Sequence, residues 1–243
     1  MKKKISEQEA QIDKFLGFFK DKFQTIQTTK FPESGHLFKK LLYVGLLDAL
    51  SKTTSYPKQG NRDRFVSFIK NFGGWQYCEK ISLPHLIRLL QKVHTPEFSS
   101  IRKYAFEQFD GWQASNFPTL KDDLDFADVK KRWPANIPKP LEDIQIESLK
   151  HCHLFYNYRS SLIHELREPG YGFEMKHDKE PYYHQHHDID NDITTWELVY
   201  PLGFYELLCS NVLTALKPYY IKDRIDPYRC YSFGSYFIEG LNI

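Results

Sequence analysis

The stretch FYNYRSSLIHELREPG, residues 155–170, carries most of what the chain says about its fold. Apolar and aromatic side chains recur through it at the spacing of a helix face, and the run ends in Glu168-Pro169-Gly170. Proline cannot continue the hydrogen-bond ladder and glycine permits the turn that follows. Within the same helix lie Arg159 and His164, with four residues between them. The guanidinium is charged at every accessible pH, and the imidazole titrates near neutrality. One can hold a phosphate while the other moves a proton.

Working outward, the periodicity predicts one helix over Leu141–Leu166, opened after Pro138-Lys139-Pro140, with Glu142 and Asp143 at its positive end. At 100° per residue Cys152, Phe155, Tyr156, Leu162, Ile163 and Leu166 form one stripe, and Arg159 projects from its middle. His164 lies on another flank with His153 and Asn157, roughly 140° from Arg159 on an ideal helix. Two arrangements satisfy that angle. Either a two-fold dimer brings both residue types to one groove, or Arg159 forms a buried ion pair and His164 supports the helix end. As the two most continuous apolar helical surfaces, this helix and the run Leu41–Leu50 are expected to pack together, and the run's lone carboxylate, Asp48, is then the leading partner for a buried Arg159.

The segment resembles the R-x4-6-H motif of the HEPN superfamily, small helical dimers that include metal-independent endoribonucleases of toxin and defence systems. Arg88 and His94 satisfy the looser spacing as well, but only the later pair has the helical context. The resemblance is strongest over residues 141–220. It implies a mainly α, HEPN-like bundle acting as a homodimer in the cytoplasm, cleaving RNA without a cofactor. Arg159 would hold the scissile phosphate and His164 would transfer the proton, with Ser160, Asn157 and Asp48 in support. The product would end in a 2′,3′-cyclic phosphate, and an antitoxin or other defence protein would be a natural partner. Many active members carry Asn, Asp or His directly after the arginine, where this chain has Ser160. A non-catalytic HEPN-like module for dimerisation or protein interaction is the alternative. Stretches of about 111–140 and 170–195 read as irregular insertions.

Composition fits that class. The chain has 243 residues, 41% hydrophobic and 26% charged, as in an ordinary globular protein. No linker or composition shift divides it, so a single domain over 1–243 is expected. A net charge of +2 argues against a broad non-specific nucleic-acid surface. The basic start Lys2-Lys3-Lys4 is followed by Ser6-Glu7-Gln8-Glu9 instead of an apolar signal core, and no window has the length of a membrane span. Cys78, Cys152, Cys209 and Cys230 form no C-x-x-C pair and read as reduced thiols.

The rest of the chain is mostly helical in pattern. Helices are expected over about 5–28 and 37–52, the second buried nearly all round, then over 61–74, 83–93, 97–109 and 122–131. A break is expected at Pro32-Glu33-Ser34-Gly35, a small hairpin in 170–200, a final helix from Pro201 to Pro218, and an aromatic tail packing back on the body.

His184, His186 and Asp188 offer a rival, metal-binding chemistry, since alternation along a strand puts the two histidines on one side. The following DIDNDI run lacks the glycine and glutamate of an EF-hand loop, which favours a solvated loop. No P-loop, G-x-G-x-x-G or G-x-S-x-G pattern occurs.

Overall fold

A computed structural model describes residues 2–32, 35–54, 60–114, 118–141, 144–174 and 178–230. The break at Glu33 and Ser34, the helix-opening Glu142 and Asp143, and the aromatic tail from Tyr231 lie outside the described residues. Eight α-helices and one two-stranded antiparallel sheet are present among the described residues, so the fold is mainly α with a small hairpin. None of the helices is long and apolar enough to cross a membrane. The chain divides into two compact units, Met1–Gly74 with Glu206–Ile243, and Trp75–Tyr205.

The first unit holds α1 (Lys2–Thr28), α2 (Gly35–Ser51), α3 (Asn61–Phe72) and most of α8 (Leu202–Asp223). Ile12, Phe15, Leu16, Phe19 and Ile26 fall at i, i+3, i+4, i+7 and i+14 on one face of α1, and all are buried. On α2 the buried residues are chiefly Tyr43, Val44, Leu46, Leu47 and Leu50, while Phe38 and Leu42 are exposed. Thus α2 buries one face and is not enclosed all round, contrary to the expectation from its apolar run. The last helix also departs from its pattern. It passes through Pro218 and ends five residues later, at Asp223. An interior proline costs a backbone hydrogen bond. Here the next turn places Tyr220 fully buried, with its hydroxyl hydrogen-bonded to Thr53 and its ring edge-on to Phe15, and that packing offsets the loss.

The second unit contains α4 (Leu83–Lys92), α5 (Ser99–Asp110), α6 (Phe126–Arg132), α7 (His151–Glu165) and the hairpin of β1 (Tyr182–Asp188) and β2 (Ile193–Val199). The strands pair from Tyr182 with Val199 to Asp188 with Ile193. Leu86, Ile87, Leu89 and Leu90 of α4 and Ile101 and Ala105 of α5 are buried, and the two helices pack against each other. Trp75 sits edge-on to Phe155, Tyr200 and Phe204, so part of the chain's 16% aromatic content is core.

The motif helix starts ten residues later than its pattern suggests. Lys150 is extended (φ −68°, ψ 145°) and bridges Ile81, after a single 3-10 turn over Ile146–Leu149. The backbone here is committed elsewhere. Leu149 C=O accepts from Ser82 N–H, while His151 and Cys152 N–H donate to Lys80 and Cys78 C=O. The polar Gln145 and Ser148 interrupt the stripe over the same stretch. At its other end α7 stops as expected, with Leu166 in the left-handed region at φ 53°.

Cys78, Cys152 and Cys209 are buried free thiols, and Cys230 is an exposed one. Burial pushes the Cys152 thiol up to about 12, which removes it as a nucleophile near neutral pH.

Candidate functional site

On α7 the buried face is His151, Cys152, Phe155, Tyr158, Arg159 and Leu162. Tyr156 and Ile163 are only half-buried and Leu166 is exposed, so the stripe is rotated from the one the apolar spacing suggests. Weighting all apolar residues equally is what misplaces it. Tyr158 fills the core because its hydroxyl donates to Glu168 at 2.7 Å, which satisfies the polar end of the ring.

Arg159 falls inside this face, with 9% of its surface exposed and its guanidinium carbon 5.5 Å from the centre of the Tyr156 ring. His164, by contrast, is exposed in the last turn. It ends a polar flank that runs through half-buried His153, exposed Asn157, and half-buried Ser160 and Ser161. Within one chain, therefore, the arginine and histidine of the motif point to different surroundings. Asp48 belongs to the first unit, where Arg64 stands 3.7 Å from its carboxylate.

The histidine hairpin uses its polar atoms structurally. His184 is buried, its Nδ1–H donating to Gln185 C=O at 2.9 Å and its Nε2 accepting from Phe173 N–H at 3.0 Å. Asp188 accepts from the Asp190 and Asn191 backbone and the Asn191 side chain, closing the turn. His186 stacks on Tyr171 with ring centres 4.6 Å apart. Among the described residues no group of three His, Cys, Asp or Glu side chains is placed to hold a metal ion.

A different set of residues forms a cleft. Its volume is about 330 Å³, and it opens between α4, α7 and β2, all within the second unit. His85 and Arg88 face it from one turn of α4, Asn157 and Ser161 from one turn of α7, and Trp196 and Glu197 from β2. Gly170, the last residue of the opening stretch, also lines it. Its φ is +77°, and a Cβ there would lie 2.7 Å from a Glu197 carboxylate oxygen, so both backbone and space demand glycine.

Arg88 donates to Glu197 at 2.9 Å, and Thr195 Oγ1–H donates to the same carboxylate oxygen at 2.7 Å. Burial pushes Glu197 up, but these bonds, the Tyr171 N–H and the Arg88 charge outweigh it and hold the carboxylate below its ordinary range.

Behind His85 runs a buried hydrogen-bonded chain. His85 Nδ1 is 2.7 Å from Ser82 Oγ, which is 2.8 Å from the Tyr183 hydroxyl, which is 2.8 Å from Asp123 Oδ2. The same carboxylate accepts from Leu83 N–H at 2.7 Å and from His151 Nε2–H at 2.7 Å. A carboxylate only accepts, which fixes every proton in the chain. Tyr183 donates to Asp123, Ser82 to Tyr183, and His85 Nδ1–H to Ser82. His85 Nε2 therefore carries the ring's lone pair, on a residue that lines the cleft. Burial, followed by the nearby His151 and Arg88, pulls His85 down to about 4 against an opposing pull from Glu197, so the ring is neutral at pH 7. Burial and then Asp123 push the Tyr183 hydroxyl well above its ordinary value, so it stays a donor.

No family model, curated protein or solved structure matches the chain. The site's chemistry therefore rests on its residues alone.

Sequence reading misses this cleft. Arg88 enters it only through its chance spacing to His94, and the members of the chain behind His85 are separated by up to 101 residues. One signal is available. His85 and Arg88 are three residues apart on a helix whose other positions are mostly apolar, so both mark its edge.

Proposed function

We propose that the chain is a HEPN-like protein that cleaves RNA without a metal ion, working as a homodimer in the cytoplasm. The observation that carries this reading is His164, exposed in the last turn of α7 at the end of a polar flank that includes Asn157 and Ser160. An imidazole so placed can take the ribose 2′-hydroxyl proton or protonate the leaving oxygen. Arg159, from its recessed position, supplies the charge for the phosphate, and a two-fold pairing of α7 helices is the arrangement that brings the two residue types to one groove. RNA, and an antitoxin or other defence protein, are the partners this reading implies.

His164→Ala is expected to lower cleavage of single-stranded RNA at least 100-fold, the low end of general acid–base contributions. Its melting temperature should match the wild type, since an exposed helix-end side chain contributes little to stability. Cleavage should persist in excess EDTA and leave 2′,3′-cyclic ends. Unimpaired cleavage by the His164 variant removes this residue from the chemistry.

The burial of Arg159 favours a second reading, a non-catalytic interaction module in which the guanidinium is structural. Wild-type protein that dimerises through α7 but leaves single-stranded and hairpin RNAs intact supports that reading over the first.

A further inference from the structure

We infer that the cleft between α4, α7 and β2 is a nucleobase pocket, in which His85 Nε2 accepts a hydrogen bond from the base and Arg88 donates one to it. This goes beyond RNA cleavage by His164 and does not rest on it.

The charge balance excludes the obvious alternative. An arginine and a histidine in one cleft suggest a phosphate site, but Glu197 already neutralises Arg88 at 2.9 Å. His85 is held neutral by burial. The cleft thus presents no net positive charge to a phosphate, and Glu197 would repel one. A neutral ligand with polar edges fits better.

The polar groups specify which edge. His85 Nε2 has no hydrogen-bond partner among the described residues, and the chain ending at Asp123 fixes it as an acceptor. Arg88 spends one terminal nitrogen on Glu197 and keeps its side chain 49% exposed, so further N–H groups remain for a ligand. One acceptor and one donor-only group on adjacent turn positions of a helix match a planar edge that carries a donor beside an acceptor. Every nucleobase has such an edge, and a phosphate has none. Ser161 adds a hydroxyl that can serve either way.

The remaining walls suit a flat ring. Trp196, Tyr158 and Tyr200 line the cleft, with Pro84 and Pro169. Aromatic and apolar walls around a few placed polar groups are the usual make-up of a base-binding site, as in proteins that take up unstacked bases of single strands. About 330 Å³ is at the small end of ligand pockets, roughly 300–1,000 Å³, which admits a base with its sugar and little more. The base can come from a free nucleoside or from a splayed nucleotide of a single-stranded RNA.

The test is binding to the full chain, read by histidine ¹⁵N shifts and tryptophan fluorescence. Adenosine, guanosine, cytidine and uridine are titrated, with ribose 5-phosphate as the control lacking a base. At least one nucleoside should bind, shift the His85 Nε2 resonance, and fail to be displaced by ribose 5-phosphate. Ser161→Leu, which adds bulk at a lining position on α7 that is not part of the hydrogen-bonded chain, should weaken binding at least tenfold with no change in melting temperature. Arg88→Gln should weaken it as well.

A tetranucleotide that binds more tightly than its nucleosides, through the same Ser161-sensitive site, assigns the base to RNA. A nucleoside that binds while tetranucleotides do not assigns it to a free ligand. No binding of any nucleoside up to about 10 mM, or binding indifferent to Ser161→Leu, overturns the inference. Because binding and not cleavage is read, failure here leaves the role of His164 untouched, and loss of cleavage in the His164 variant leaves the pocket untouched.

Discussion

Replacing Asp123 by alanine is expected to destabilise the second unit by about 4 kcal/mol. The carboxylate is 4% exposed and accepts from three donors: Leu83 N–H, Tyr183 hydroxyl and His151 Nε2–H. Each buried donor left without a partner costs roughly 1–3 kcal/mol. Three of them, with some relief from reorientation, give about 4 kcal/mol.

Tyr183→Phe separates this effect from simple loss of a contact. It removes one donor to Asp123 and leaves Ser82 free to turn its hydroxyl, so a loss of about 1 kcal/mol is expected. Denaturant unfolding followed through tryptophan fluorescence reads both, because Trp112 packs 5.0 Å from the Tyr183 ring and reports on the same region. Hydrogen exchange at the Leu83 amide, which Asp123 Oδ1 accepts, gives a local reading that does not depend on both units unfolding together. A loss under 1 kcal/mol for Asp123→Ala would mean that water replaces the carboxylate, and that the chain behind His85 is not rigidly held.

That buried chain also marks the boundary of what the amino-acid sequence makes legible. Helix α3 and the start of α4 can be read within one or two residues, because Phe65, Phe68 and Ile69, or Leu83, Leu86 and Leu90, repeat at helical spacing and nothing distant competes. The start of α7 escapes such a reading because the residues leading into it give their backbone groups to Lys80 and Ser82, partners some seventy residues earlier. Local periodicity carries no information about such pairing. Pro218 misleads for a related reason: the proline rule is local, while the burial of Tyr220 beyond it is tertiary.

The candidate site follows the same division. Arg159 and His164 share one helix, so their spacing is visible in the sequence, and the angle of about 140° already indicates that they do not converge. Their opposite exposures agree with that angle. The cleft draws on α4, α7 and β2 together, and its defining atom, His85 Nε2, owes its role to Ser82, Tyr183 and Asp123. No two of Ser82, Asp123 and Tyr183 are close in sequence.

The second large effect is a pH dependence that His85 imposes on stability. Its folded value near 4 lies below its ordinary 6.5, with burial as the largest cause and His151 and Arg88 adding to it. The unfolded chain therefore takes up the proton first as pH falls. Stability from this residue is full above about pH 6.5, declines as pH drops towards 4, and is flat below that. A difference of 2.5 between the two values corresponds to about 3 kcal/mol in total, of which about 2 kcal/mol is gone by pH 5. Glu197 is also held low, but its stabilising effect persists until pH falls into and below the carboxylate range, so of these two groups it is His85 that acts between 6.5 and 5. His85→Gln should flatten the stability profile over that interval. The His85 ring resonance should titrate near 4 in the folded protein, while exposed His164 serves as the internal comparison. A His85 midpoint near 6.5, or a His85→Gln profile as steep as the wild type, would show that the ring is solvated in both states and that the cleft acceptor is not fixed by the chain behind it.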